Sequence, residues 1–300
     1  MTYVITKILL FSDTHGQELT PRPIDEKVDV AIHCGDLTEE SKLDEFKPTL
    51  RYLQQLKADL KLVIAGNHDF TLDTPAFRKL IKNAKPPLEP ELVQKTYGDY
   101  GEARRLIESM KPDNIIFLDE GSYEFTLRNG ALMRVYASPF TPSLSGDWGF
   151  QYDPKEGHEF TIPKNTDVVI THGPPLGVLD YTCSRSRAGC PALFQAVARV
   201  KPRLHCFGHI HEGWGAKRVA WREKLTPMPS HLTDIDNSKS RVLGTVSQLN
   251  SARKNCELSC YFADCFAPEP DQQTLFVNAA IQGIESNQVS WVVEIPLSKV

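Results

Sequence analysis

The sequence predicts a mixed α/β fold, and three observations predict it. Short apolar, β-branched runs alternate with amphipathic helical stretches over the first two thirds of the 300 residues. Five of those runs stop on clusters of Gly with Asp, Asn or His. An Asn129-Gly130 pair joins two later runs, and because Asn-Gly supplies positive φ cheaply, it makes those two runs a hairpin and the sheet a mixed one.

Taken in order, residues 4–11 form the first strand-like run and stop at Ser12-Asp13-Thr14-His15-Gly16; residues 28–33 stop at Gly35-Asp36. Leu43, Phe46, Leu50, Leu53 and Leu56 recur at steps of three and four, one face of a helix whose true start Pro48 is expected to mark. Residues 62–65 end at Gly66-Asn67-His68-Asp69. A Pro-rich loop at 85–90 leads to a helix over 100–110, followed by strands at 115–118, 123–127 and 132–137. Residues 168–170 end at Thr171-His172-Gly173, a helix spans 191–200, and residues 204–207 end at Gly208-His209-Ile210-His211. Closing strands are expected at 275–277 and 291–295. Between 216 and 273 the composition turns to Pro, Ser, Asn, Lys and Asp with weak periodicity. We read it as an insertion with at most one or two helices inside a single domain spanning 1–300, and as a lid or partner surface.

Composition narrows the function. With 41% apolar and 24% charged residues the chain is an ordinary globular one, and its apolar runs break well before the ~18 residues a bilayer-spanning helix needs. A formal net charge of -4 offers no general basic field, so nucleic acid is a poor partner and any anion must be held locally. Seven cysteines without regular spacing, and a start without basic or cleavable character, lead us to expect a reducing compartment, the cytoplasm.

The residues at the five strand ends are Asp13 with His15, Asp36, Asn67 with His68, His172, and His209 with His211. All are metal-ligand or acid-base types. In open α/β sheets the loops at the carboxyl ends of strands converge on one crevice, so distant residues can share a site. Imidazole, carboxylate and one carboxamide, without thiolate, suit Mn, Fe, Zn or Mg better than a structural zinc cage. Leaving His68 aside, seven such groups exceed the needs of one tetrahedral ion; two ions sharing a carboxylate account for them, with Asp36 as the bridge. A neutral Asn67 would leave the pair of cations net positive toward phosphate.

Asp13-Thr14-His15, Gly35-Asp36, Gly66-Asn67-His68-Asp69, Thr171-His172-Gly173 and Gly208-His209-Ile210-His211 resemble, in order and spacing, the five-block signature of calcineurin-like metallophosphoesterases. The stretches 137–142, 148–150, 172–177 and 208–215 resemble the metallophosphoesterase-domain-containing (UPF0046) branch, related to class III cyclic nucleotide phosphodiesterases. The likeness covers roughly 1–215 and resumes at 275–279. It implies a four-layer α/β/β/α sandwich with two mixed sheets. It also implies one divalent cation, Mn2+ by preference, on Asp13, His15, Asp36 and His211, and a second on Asp36, Asn67, His172 and His209. The reaction implied is in-line attack on phosphorus by a hydroxide held between them, on a small phosphoester or nucleotide, with His68 protonating the leaving oxygen and Asp69 orienting His68. A phosphodiesterase is favoured; a phosphomonoesterase or nucleotidase, or a weakly active nucleotide-binding scaffold, are the alternatives. Two departures stand out. The 216–273 stretch is longer than expected of that branch, and His209 is present where some animal members carry Gly.

Blander readings apply elsewhere. His33 and His205 sit inside apolar runs and are read as packed core imidazoles; His158 and His231 as solvated. Cys256, Cys260 and Cys265 lack a Cys-x-x-Cys pair and are read as a helical core face. Phe140, Trp148 and Phe150 either cap the sheet or offer a surface to a nucleobase, and Arg185 and Arg187 are either phosphate contacts or solvated charges. No Gly-x-Ser-x-Gly elbow or Walker loop is present.

Overall fold

The structure, a computed structural model, describes residues 2–19, 26–254, 260–263, 272–283 and 286–300. In chain order it runs β1 (Tyr3–Phe11), β2 (Val28–His33), α1 (Leu43–Gln55), β3 (Ala58–Val63), α2 (Thr74–Asn83), α3 (Pro90–Tyr97), α4 (Glu102–Glu108), β4 (Ile115–Phe117), β5 (Gly121–Thr126) and β6 (Ala131–Ser138). It continues with β7 (Thr141–Pro142), β8 (Gln151–Tyr152), β9 (Val168–Thr171), α5 (Pro191–Val200), β10 (Leu204–Phe207), β11 (Gly215–Ala220), β12 (Arg241–Thr245), α6 (Val246–Arg253), β13 (Cys260–Ala263), β14 (Gln273–Asn278) and β15 (Ser290–Lys299).

Strands β1 to β4 are parallel, with β15 antiparallel along the outer side of β1. In the other half β6, β9, β10 and β14 are parallel, flanked by the antiparallel β5, β11 and β12. The strand ladder passes from one half to the other at β15 and β6, through Ser298 opposite Leu132 and Lys299 opposite Ala131. That seam is where the sheet folds over on itself. Side-chain alternation then sorts the layers. Ile8, Leu10, Ile32 and Leu62 from the first half share one core with Ile170, Leu204 and Val277 from the second. Leu9, Phe11 and Val63 turn the other way, onto Phe46, Leu50 and Leu53 of α1 and Ile107 of α4. Val169, Phe207 and Phe276 likewise pack on Leu193, Phe194 and Val197 of α5. The result is the expected helix, sheet, sheet, helix order.

Several local expectations change. Pro48 lies in the interior of α1 rather than at its start. The helix begins earlier because the Glu45 carboxylate accepts the N–H groups of Glu39, Glu40 and Lys42, while Pro48 forfeits one N–H. Helices α2 and α3 are not expected from the sequence: α2 is short, with Phe77 buried and Leu80 and Ile81 half-buried on one face, and α3 buries nothing fully. The hairpin at Asn129-Gly130 stands, with Gly130 at φ 85° and its N–H donating to the Leu127 carbonyl at 2.9 Å. The segment 216–273 opens as β11, paired to β14 and β12, and its described part holds one helix, α6. Cys260 lies on strand β13, not on a helix; Cys256 and Cys265 fall outside the described residues. Among the described residues no helix is long and apolar enough to cross a membrane.

Candidate metal centre

Each candidate ligand follows the carboxyl end of a strand. Asp13 and His15 follow β1, Asp36 follows β2, Asn67 and His68 follow β3, His172 follows β9, and His209 and His211 follow β10. The first three groups ride on one half of the sandwich and the last two on the other, so the centre lies across the gap between the halves. Asp13, His15, Asp36 and His209 all adopt left-handed φ, at 57°, 46°, 55° and 66°. Such conformations cost L-residues of order 1–3 kcal/mol each and cluster where side chains must converge. The turns are held by backbone bonds across strands, including Asp13 N–H to the Gly35 carbonyl at 3.0 Å and His15 N–H to the Asp36 carbonyl at 3.1 Å. Close approach also demands glycine: a Cβ on Gly208 would lie 2.0 Å from Asp13 Oδ2, and one on Gly66 2.3 Å from Asp36 Oδ1.

The ligand-type atoms gather into three overlapping clusters, each within 4.8 Å: Asp13, His15 and His211; His15, Asp36 and His68; Asp36, His172 and His209. Asp36 and His15 each belong to two. Asp13 Oδ1 is 3.3 Å from His211 Nε2 and both its oxygens accept the His209 N–H, at 3.0 and 3.1 Å. Asp36 Oδ2 is 3.1 Å from His172 Nε2, while Oδ1 accepts the His68 N–H at 2.8 Å. Asn67 Oδ1 lies 3.0 Å from the same His172 Nε2. Since His172 Nδ1 is 2.9 Å from the Cys34 carbonyl, which can only accept, that nitrogen carries a proton and Nε2 faces the centre.

Burial penalises the Asp13 carboxylate, yet its hydrogen bond to His211 and the charge of His172 outweigh that and hold it down at about 2. Asp36 is buried too and is driven lower still by His172. His172 is the converse case: burial disfavours its charge, but Asp36 and Asp13 lift it to about 9. His209 is pushed down to about 4, by burial and then by His172.

Do these residues fit cations? Neither buried ring nitrogen of His15 makes a well-formed hydrogen bond: Nδ1 has only the Glu39 carboxylate nearby, at 3.1 Å, and Nε2 lies 3.9 Å from Asp36 Oδ2, an arrangement native interiors avoid unless something else occupies the gap. Two buried carboxylates, an amide oxygen and inward-facing imidazole nitrogens complete a hard-to-borderline donor set. The set fits.

Around the centre, three expectations shift. Asp69 does not touch the His68 ring. Its buried carboxylate accepts Gly66 N–H at 2.9 Å, Leu37 N–H at 3.1 Å, Thr38 N–H at 3.0 Å and Thr38 Oγ1 at 2.7 Å, so it ties together the loops that carry Asp36 and Asn67. The His68 ring is oriented by the Glu39 carbonyl, 2.6 Å from Nδ1, and by Trp148, whose ring centroid is 4.1 Å away. Glu39 escapes a reading of the sequence because nothing in its spacing marks it; its carboxylate also comes 3.1 Å from His15 Nδ1. His158 is not simply solvated but stacks on Phe140 and Tyr152 and pairs with Glu120 Oε1 at 2.7 Å, and His231 is half-buried against Gly177 and Phe194. Arg187 donates to Asp180 Oδ1 at 2.7 Å. His33 and His205 are fully buried, as expected.

Residues 6–213 match the calcineurin-like phosphoesterase family along its profile. The chain belongs to that family. Metallophosphoesterase domain-containing protein 1 of Homo sapiens is 38% identical to this chain over 224 residues, covering 70% of this chain and 62% of the relative. UPF0046 protein T07D4.2 of Caenorhabditis elegans is 31% identical over 214 residues, covering 67% of this chain and 50% of the relative, which places the chain in the UPF0046 branch. It therefore spans under two thirds of the length of these relatives. Among solved structures, TT1561 of Thermus thermophilus superposes with a TM-score of 0.43 at 14% identity, over 72% of this chain and 84% of the other.

Proposed function

We propose that this calcineurin-like phosphoesterase hydrolyses small phosphodiesters, cyclic nucleotides among them, with two divalent cations, Mn2+ by preference and Fe, Zn or Mg as alternatives. The observation that supports this reading is the convergence of Asp13, His15, Asp36, Asn67, His172, His209 and His211 from both halves of the sandwich, with Asp36 shared between clusters. Asp13, His15, Asp36 and His211 would hold one cation and Asp36, Asn67, His172 and His209 the other. When bound, the cations supply Lewis-acid charge and lower the pKa of water at the site.

The chain's own residues do the rest. His68 Nδ1–H donates to the Glu39 carbonyl, which leaves Nε2 as the nitrogen that, in the imidazolium form, gives its proton to the departing alkoxide. Asp69 positions rather than reacts, since all its described contacts bind backbone N–H groups and the Thr38 hydroxyl. Neutral Asn67 keeps the centre net positive toward an anionic ester. Net charge of -4 disfavours a nucleic-acid substrate, and the irregular cysteines support a cytoplasmic setting.

Turnover of bis-p-nitrophenyl phosphate against p-nitrophenyl phosphate, with Mn2+ added to chelator-treated protein, tests the reading. Diester turnover that exceeds monoester turnover supports it. A faster monoester makes the protein a phosphomonoesterase or nucleotidase, and silence with every divalent metal reduces it to a nucleotide-binding scaffold.

A further inference from the structure

We propose that Trp148 and the cavity beside it form a subsite for a planar ring, a nucleobase or aryl group, carried on the leaving side of the phosphoester. The inference rests on the hydrolase reading for where the leaving oxygen sits, but not for the existence of the subsite.

Trp148 packs its indole on His68 with centroids 4.1 Å apart and planes 31° from parallel. The group that receives a proton from His68 therefore departs alongside that indole. The loop carrying Trp148 is built to hold it there. Gly149 N–H donates to the carbonyl of Asn67 at 3.0 Å, and a Cβ on Gly149 would meet Phe70 Cα at 2.7 Å. Phe150, at φ 51°, donates its N–H to Asp73 Oδ2 at 2.7 Å. The aromatic side chain is thus tied to the backbone of a candidate metal ligand, which a mere hydrophobic cap on the sheet would not need.

Trp148 also lines a cavity of about 250 Å3, with Pro75, Ala76 and Leu80 supplying apolar wall and Lys79, Gln151 and Asp73 supplying polar atoms, the Asp73 carboxylate being taken up by the Ala76 and Phe150 N–H groups. Gln151 Oε1 accepts the Trp148 N–H at 3.1 Å, so the Gln151 amide NH2 is the group left to donate. Lys79 Nζ donates to the Gly146 carbonyl at 3.4 Å, and as an ammonium with three N–H groups it keeps further donors beside the cavity. Amide and ammonium donors beside an aromatic residue suit a heterocycle with acceptor atoms on its edge, in the way aromatic platforms hold bases in other folds.

Of the four tryptophans, Trp214, Trp221 and Trp291 are buried and Trp148 is partly exposed, so a ligand-dependent change in emission that disappears in Trp148→Phe is assigned to Trp148. The experiment titrates AMP and ribose 5-phosphate into the Mn2+-loaded protein, and adenosine into the chelator-treated protein, following tryptophan emission and, for the variants, calorimetry. The expected result is quenching by AMP and by adenosine but not by ribose 5-phosphate. Trp148→Ala should weaken AMP binding roughly 5- to 100-fold with ribose 5-phosphate unchanged, and Trp148→Phe should restore most of the affinity. Equal binding of AMP and ribose 5-phosphate, or a Trp148→Ala loss that falls equally on both, overturns the subsite. Adenosine quenching in a protein that hydrolyses nothing sustains the subsite while the hydrolase reading fails; diester turnover with no base preference does the reverse.

Discussion

The His172 imidazole, which follows β9, binds the carbonyl of Cys34, which follows β2, at 2.9 Å. One half of the sandwich thereby sets the tautomer of a side chain belonging to the other, and the Nε2 of that ring then meets Asp36 and Asn67. The centre is assembled by the packing of the two sheets, and the first expectations concern what happens when that assembly is disturbed.

Asp36 lies in two of the three clusters and accepts from His68 N–H and His172. Asp36→Asn should lower diester turnover by more than about 100-fold, since even partners outside a metal's own ligands cost 10–100-fold in metal affinity. Metal content after gel filtration should fall in parallel, and a variant that keeps full metal and activity contradicts the shared role.

Cation addition should stabilise the chelator-treated protein. Occupancy at 100 times Kd contributes about 2.7 kcal/mol, and a scanning calorimeter should show Tm rising by several degrees. The Asp36→Asn protein should show little of this rise. An unchanged Tm in the native sequence would argue against resident cations.

Gly208→Ala probes space rather than charge. Its Cβ would fall 2.0 Å from Asp13 Oδ2 and 2.3 Å from Ser12 Oγ, both enclosed in the interior. Overpacking of this kind costs about 1–3 kcal/mol, to be read from urea titration, and the displaced Asp13 carboxylate should reduce turnover as well.

Asp69→Asn replaces a carboxylate that accepts from three N–H groups and one hydroxyl by an amide whose NH2 must face donors. A destabilisation of about 2–4 kcal/mol is expected, with loss of kcat because the loops of Asp36 and Asn67 are released together. If only the pH-rate profile changed, with stability intact, Asp69 would be acting on His68 after all.

His205 sets an acid limit. Its Nε2 lies 2.8 Å from Thr171 Oγ1, which itself donates to the Gly173 carbonyl, so the ring is buried neutral and burial pushes its pKa down to about 3 from 6.5. Between those values the unfolded chain binds a proton that the folded chain refuses, so this contribution to stability is intact above pH 6.5 and is lost as pH falls toward 3. His205→Phe should flatten the decline of unfolding free energy by about 1.4 kcal/mol per pH unit in that window. An unaltered slope would mean that the ring is already solvated in the native protein.

What the sequence makes legible is the chemistry at strand ends: Asp13, Asp36, Asn67, His172 and His209 each follow an apolar run whose period is its own evidence for a strand. The burial of His33 and His205 is legible for the same reason. Hidden are features set by contacts between distant pieces. Pro48 is tolerated inside α1 because Glu45, in the first turn, secures the helix start by accepting the N–H groups of the residues before it. Lys217 and Arg218 disguise β11, which is a strand because it pairs with β14 on one side and β12 on the other. Glu39 acquires meaning only through its proximity to His68, Trp148 is legible as an aromatic surface but not as a partner of His68, and the aromatic shelter of His158 depends on Phe140 and Tyr152 arriving from elsewhere in the chain.

Among the described residues, the strand ladders of the two sheets join at Ser298 with Leu132 and Lys299 with Ala131. Away from that corner the halves are clasped beside the centre, by His172 on Cys34, by His209 on Asp13 and by the Ile281 N–H on the Ser12 carbonyl. Clasp and reaction chamber are therefore one object: whatever pries the shells apart also dismantles the chemistry, and inactivation by heat should run ahead of any melting of the outer helices.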